Sequence, residues 1–62
     1  AGAGEVASAV DAAIDENPEA VTDYHDGDEG AINFLVGQVM QATGGSADPG
    51  QVNGLLRERL DG

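Results

Sequence analysis

A chain of 62 residues forms one domain at most, and a domain of this length buries only about 60% of the surface that its unfolded chain exposes. It has no room for a complete ordinary enzyme and, without cysteine, no disulfide. Twelve acidic residues against two arginines and no lysine give a formal net charge of −10. Such a surface disfavours phosphate and anionic lipid at low ionic strength. It indicates a protein kept soluble in a high-salt cytoplasm, with binding to a basic partner as the alternative.

The first predicted helix runs from Glu5 to Asp15, because its apolar residues recur at i, i+3, i+4, i+7 and i+8. Asn17 is then predicted to cap a second, short helix with its side chain, and Pro18 suits the first helical position. We expect this helix to end at His25, before Gly27. Its predicted inward residues are Val21 and Tyr24.

A third helix is predicted to be the central and most buried one, with Asp28 as its N-cap, Glu29 in its first turn and Gly44 as its stop. Its predicted apolar stripe comprises Ala31, Phe34, Leu35, Gln38, Val39 and Ala42, widened by Ile32, Val36 and Met40. Gly37 interrupts this stripe, where a glycine costs about 1 kcal/mol relative to alanine. We therefore expect a close helix contact at Gly37, or else a functional role.

Asp48 and Pro49 are predicted to start a fourth helix, with Gln51 completing an approximate capping box. Its apolar face comprises Val52, Leu55, Leu56 and Leu60. Because no strand pattern occurs and the connections are short, the predicted fold is all-α, a small bundle of about four short helices with tight capped turns. Residues 5–61 are predicted to form this domain, and residues 1–4, which lack an initiator methionine, a linker or the remnant of an excised or processed fragment.

An acidic turn around His25 raises the question of a metal site. Counted from Asp26, the fifth and twelfth positions of a calcium loop fall on Gly30 and Gly37, which carry no ligand. We predict an ordinary helix-end turn, with a weak cation site as the alternative, and His25 as a partner of a helix dipole. Two serines and one histidine do not indicate a catalytic triad, so the sequence predicts no catalytic residue and no metal ligand.

Several short motifs carry a resemblance to a known family. They are Asn17–Val21, Asp23-Tyr24, Gly27, Phe34–Met40, Thr43, Gly45, Ala47–Pro49, Val52-Asn53 and Leu55-Leu56. In order and spacing they resemble the small helical tail domain that is shared by the B subunit of tRNA-dependent aspartyl/glutamyl-tRNA amidotransferase (GatB) and by stand-alone YqeY-like proteins. The resemblance covers nearly all of the chain after residue 15, and the acidic composition points to a halophile.

The resemblance implies a non-catalytic domain that binds and positions tRNA(Asn) or tRNA(Gln) while the parent enzyme converts Asp-tRNA(Asn) or Glu-tRNA(Gln) to the amidated form. It implies no cofactor here, with ATP and Mg used elsewhere in the parent ligase, and GatA and GatC as partner subunits. We expect a cytoplasmic protein without a membrane segment and a monomeric isolated domain. Two alternatives stay open: an acidic protein-interaction module that docks partner subunits, and the C-terminal part of a stand-alone YqeY-like protein.

The candidate tRNA contacts are Gln41, Gly45, Ser46, Asn53, Arg57 and Arg59. Gly45 and Ser46 follow the helix stop and are expected to present free backbone donors. The arginines are predicted either to contact phosphates or to form a solvated edge paired with Glu58 or Asp61. Family members commonly carry Lys or Arg where this chain has Asp28, Gln41 and Gly44. The contacts would then use backbone amides, hydroxyl or amide side chains and the arginines in high salt, or the tRNA affinity would reside in other domains.

Overall fold

The computed structural model describes residues 3–61, which form four α-helices and no strand. The helices are α1 (Ala3–Glu16), α2 (Pro18–His25), α3 (Gly30–Ala42) and α4 (Pro49–Asp61). The predicted all-α fold is confirmed. Because α1 begins before Glu5, residues 3 and 4 of the predicted linker are helical, whereas residues 1 and 2 lie outside the described part of the chain.

The core forms where α3 packs against each of the other three helices. Its buried residues are Val10, Ala13, Ala20, Ala31, Ile32, Leu35, Val39, Ala47, Val52 and Leu56. Leu35 and Val39 are fully buried, as the sequence predicts. Helix α2 contributes Ala20 to the core, and the predicted Val21 and Tyr24 are only partly buried. Among residues 3–61 the core contains no polar or charged side chain, so its stability comes from apolar packing alone.

Two predicted core positions on α3 face solvent instead. Phe34 is 50% exposed, and a Cβ atom built on Gly37 would meet no atom within 4 Å. The prediction of a close helix contact at Gly37 is therefore wrong. The buried face of α3 is centred on Ile32, Leu35 and Val39, and at 3.6 residues per turn Gly37 falls on the opposite side. Phe34 and Gly37 thus belong to the outward face of α3.

The three connections use carboxylate, amide and glycine groups to end one helix and begin the next. Contrary to the prediction, Asn17 does not cap α2 with its side chain; its Nδ2 donates to the carbonyl oxygen of Ala13 at 2.8 Å and closes α1. Asp28 and Asp48 do cap the helices that follow them. Their Oδ1 atoms accept hydrogen bonds from the N–H groups of Gly30 and Gly50, at 2.9 and 3.0 Å.

Candidate nucleic-acid interface

The turn after α3 contains the candidate residues Gly45 and Ser46. Gly44 and Gly45 adopt φ values of 64° and 80°, in the left-handed region that favours glycine. The N–H of Gly45 donates to the carbonyl oxygen of Met40 at 2.9 Å. The N–H and hydroxyl of Ser46 both donate to the carbonyl oxygen of Thr43, at 3.2 and 2.7 Å. The expectation that these donors are free for a ligand is therefore wrong, because they close the end of α3.

What this turn can offer a ligand is its shape, its remaining acceptors and one nearby amide. The hydroxyl oxygen of Ser46 keeps lone pairs that accept hydrogen bonds. Gln41 is exposed on the outward face of α3 and carries an amide that both donates and accepts. Hydroxyl acceptors match ribose 2′-hydroxyls and base edges better than they match phosphate oxygens, which accept but do not donate.

Asn53 and Arg57 meet on α4, four residues apart, as predicted. The Nε of Arg57 donates to Oδ1 of Asn53 at 2.8 Å, and its Nη2 pairs with Oε1 of Glu29 at 3.2 Å. The hydrogen bond from Glu29 raises the pKa of the Arg57 guanidinium. The ion-pair partner is thus Glu29, just before α3, whereas the sequence suggested Glu58 or Asp61.

Arg59 points to a different neighbour. Its Nη1 pairs with Oδ1 of Asp11 on α1 at 3.0 Å. Both cationic side chains of the chain are therefore occupied by carboxylates. Glu29, the partner of Arg57, precedes Gln41 by twelve residues, which is about 18 Å along a helix. The structure consequently does not gather the six candidate residues into one patch: Gln41, Gly45 and Ser46 lie at one end of α3, and Arg57 at the other.

A polar cluster that the sequence did not reveal joins α2 to the last turn of α4. The hydroxyl of Tyr24 donates to Oδ1 of Asp61 at 2.8 Å, and this hydrogen bond raises the pKa of the Tyr24 phenol. Nε2 of His25 lies 2.8 Å from the carbonyl oxygen of Leu60, and because a carbonyl only accepts, Nε2 carries the hydrogen. His25 therefore interacts with the carbonyl end of a helix, as predicted, although the helix is α4 and not its own.

These two side chains line a cleft of about 330 Å³ together with Glu29, Arg57 and Asp61. The polar groups that face it already bond to each other or to α4, so the cleft holds α2, α3 and α4 together and presents no free nucleophile. No group of His, Asp and Glu residues within 3–61 is arranged to hold a metal ion. No helix of the described chain has the length and apolarity needed to cross a bilayer.

A second groove lies between α2 and the start of α3 and has a volume of about 340 Å³. Buried Ala20 and Ala31 form its floor, and the half-exposed ring of Phe34 lines it. Sequence reasoning missed this groove because it placed Phe34 in the core. The only sequence signal was a nearly continuous apolar run in α3, which has more large apolar residues than one helix face can bury.

Comparison with known proteins gives a consistent result. Residues 2–60 match the family model described as the GatB domain. The relatives include the B subunit of the aspartyl/glutamyl-tRNA(Asn/Gln) amidotransferase of Natronomonas pharaonis, which is 75% identical over 57 residues, 92% of this chain and 12% of that protein. Its counterpart in Haloarcula marismortui is 75% identical over 57 residues, 92% of this chain and 11% of that protein. That of Moorella thermoacetica is 61% identical over 51 residues, 82% and 11% of the two chains. No solved structure matches.

Proposed function

Because the chain belongs to the GatB domain family, we propose that it is a non-catalytic domain that binds and positions tRNA for an aspartyl/glutamyl-tRNA(Asn/Gln) amidotransferase. The observation that supports this most directly is the 75% identity to the B subunits of two salt-loving archaea, which carry that name. The chain spans only 12% of the Natronomonas protein. The amide-forming chemistry, with ATP and Mg, would therefore belong to the rest of the parent.

In this proposal the domain lowers the entropic cost of presenting the acceptor end of a mischarged tRNA(Asn) or tRNA(Gln) to a distant active site. Gln41 and Ser46 would contact ribose or base edges, with the Gly45 backbone packed against the RNA. Asn53, Arg57 and Arg59 would contact the RNA backbone. The parent would work in the cytoplasm with GatA and GatC as partner subunits, and the isolated domain would be a monomer.

The two arginines can take part only if phosphate replaces their carboxylate partners. Exposed ion pairs of this kind contribute about 0–1 kcal/mol, so the exchange costs little. The net charge of −10 opposes RNA at low salt, whereas in molar salt the Debye length is about 3 Å and the repulsion is screened. Tolerance of high salt is therefore part of the proposal.

The test uses the parent enzyme with and without residues 3–61. We expect the deletion to raise KM for the mischarged tRNA by about tenfold, corresponding to about 1.4 kcal/mol, with kcat nearly unchanged. Glutamine hydrolysis in the absence of tRNA serves as the control for an intact catalytic core. Unchanged tRNA affinity at both low and molar salt would remove the RNA role.

One observation favours a second candidate, an acidic module that docks partner subunits. Both arginines are paired with carboxylates and the chain has no lysine, so its surface offers no unpaired side-chain cation to RNA. Acidic surfaces steer and orient basic protein partners. Titration of the chain with tRNA and, separately, with a GatA–GatC core separates the two functions. The relatives named above are all B subunits of the amidotransferase, so they lend no support to the stand-alone YqeY-like alternative.

A further inference from the structure

The groove between α2 and α3 combines an apolar floor with an acidic rim. Ala20 and Ala31 are 8% and 7% exposed, and their small side chains leave a depression beside the ring of Phe34. Phe34 is the only large hydrophobic residue of the described chain that is strongly exposed. An aromatic ring left half in water beside a depression is a feature of surfaces that bind partners, since it offers apolar area that the fold does not use.

The rim carries three carboxylates, those of Glu19, Asp23 and Asp28. Glu19 and Asp23 are four residues apart on α2 and therefore lie on the same helix face. One oxygen of Asp28 accepts the N–H of Gly30, which leaves its other oxygen available to a ligand. The rim carboxylates form no ion pair with either arginine, because Arg57 and Arg59 bind Glu29 and Asp11.

From this geometry we infer that the groove is a docking site for a basic segment of a partner protein. The segment inserts an arginine or lysine beside an apolar residue. The aliphatic stem packs on Ala31, the charged head stacks on the ring of Phe34, and the carboxylates of Asp23 and Asp28 pair with it. Charge complementarity selects this occupant, because the carboxylates repel each other in the free protein and a bound cation removes that repulsion. The same charges disfavour nucleic acid here.

The inference does not rest on the proposed tRNA role. The candidate contacts Gln41, Gly45 and Ser46 lie at the C-terminal end of α3, and the groove lies at its N-terminal end. A partner protein on the groove and a tRNA on the glycine turn would use opposite ends of one helix. Either function can fail without the other.

The experiment is a titration of the ¹⁵N-labelled 62-residue chain, followed by the amide shifts of residues 19–34. The probe is the peptide acetyl-Leu-Arg-Ala-Leu-Arg-amide, and the matched control peptide carries citrulline, which has the shape of arginine without its charge. The variants are Phe34→Ala and Asp23→Asn. Glu58→Gln is the matched control, because it removes the same charge from an exposed position on α4 that does not line the groove. A cooperative thermal transition shows first that each variant is folded.

We expect the arginine peptide to shift the groove amides and the citrulline peptide to leave them in place. Phe34→Ala should weaken binding about threefold, as befits an exposed cation–π contact. Asp23→Asn should weaken it by about twofold, the effect of one exposed ion pair, and Glu58→Gln should leave it unchanged. Equal effects of Asp23→Asn and Glu58→Gln would reduce the binding to general acidity and overturn the inference. It is also overturned if tRNA shifts the groove amides, or if they shift with protein concentration alone, which would make RNA or a second copy the occupant.

Discussion

Replacing Gly37 by alanine should stabilise the chain, and the structure gives the size of the effect. The residue lies inside α3, is exposed, and a Cβ atom added there would meet no atom within 4 Å. No packing is lost or gained, so only the intrinsic helix preference changes, which favours alanine by about 1 kcal/mol. For a domain of this size, that gain corresponds to a rise in Tm of about 4–8 °C.

The assay is thermal and urea unfolding followed by circular dichroism at the helix band. Gly54→Ala is a control of the same sign, because Gly54 is also exposed, lies inside α4 and has open space around its Cβ position. Gly45→Ala is a control of the opposite sign, because φ of 80° costs a non-glycine residue about 1–2 kcal/mol. A lower Tm for Gly37→Ala would refute the reasoning and show that α3 contacts another element at this position.

Three further outcomes follow from the core and the polar contacts. Leu56→Ala, at a position that is 0% exposed, should cost about 2–5 kcal/mol and leave the chain largely unfolded by circular dichroism at room temperature. Folded Tyr24 has a raised pKa, so its stabilising hydrogen bond is fully present below the unfolded pKa of about 10 and is lost as pH rises through the higher folded value. Wild-type stability should fall there in an alkaline titration, and Tyr24→Phe should lack that component. Arg57→Gln should change the urea-derived free energy of unfolding by less than about 1 kcal/mol; a larger loss would contradict its assignment as an exposed ion pair.

Features set by neighbouring residues were the ones that the sequence predicted well. The caps at Asp28 and Asp48, the prolines at the first helical positions and the glycine stop after α3 depend on side chains within two or three residues. Asn17 shows the limit of such reasoning. Its amide can serve either the helix before it or the helix after it, and only the packed structure decides in favour of Ala13.

The phase of α3 and the composition of the candidate site could not be predicted in the same way. Apolar residues surround most of α3, so periodicity alone did not decide between Phe34 and Ile32 for the core, and the packing of the other helices chose Ile32. The ion pair between Arg57 and Glu29 joins residues 28 positions apart. No local spacing announces such a contact, so the sequence assigned Arg57 to the wrong carboxylates.

The order in which the helices pack has a consequence for how fast the chain folds. Successive helices contact each other along the whole chain, and among the packed pairs only α1 with α4 joins its two ends. Folds dominated by such short-range contacts have a low contact order and fold within microseconds to milliseconds. The bundle should therefore refold faster than a larger protein attached to it, and a variant that slows assembly of that protein would have to act elsewhere.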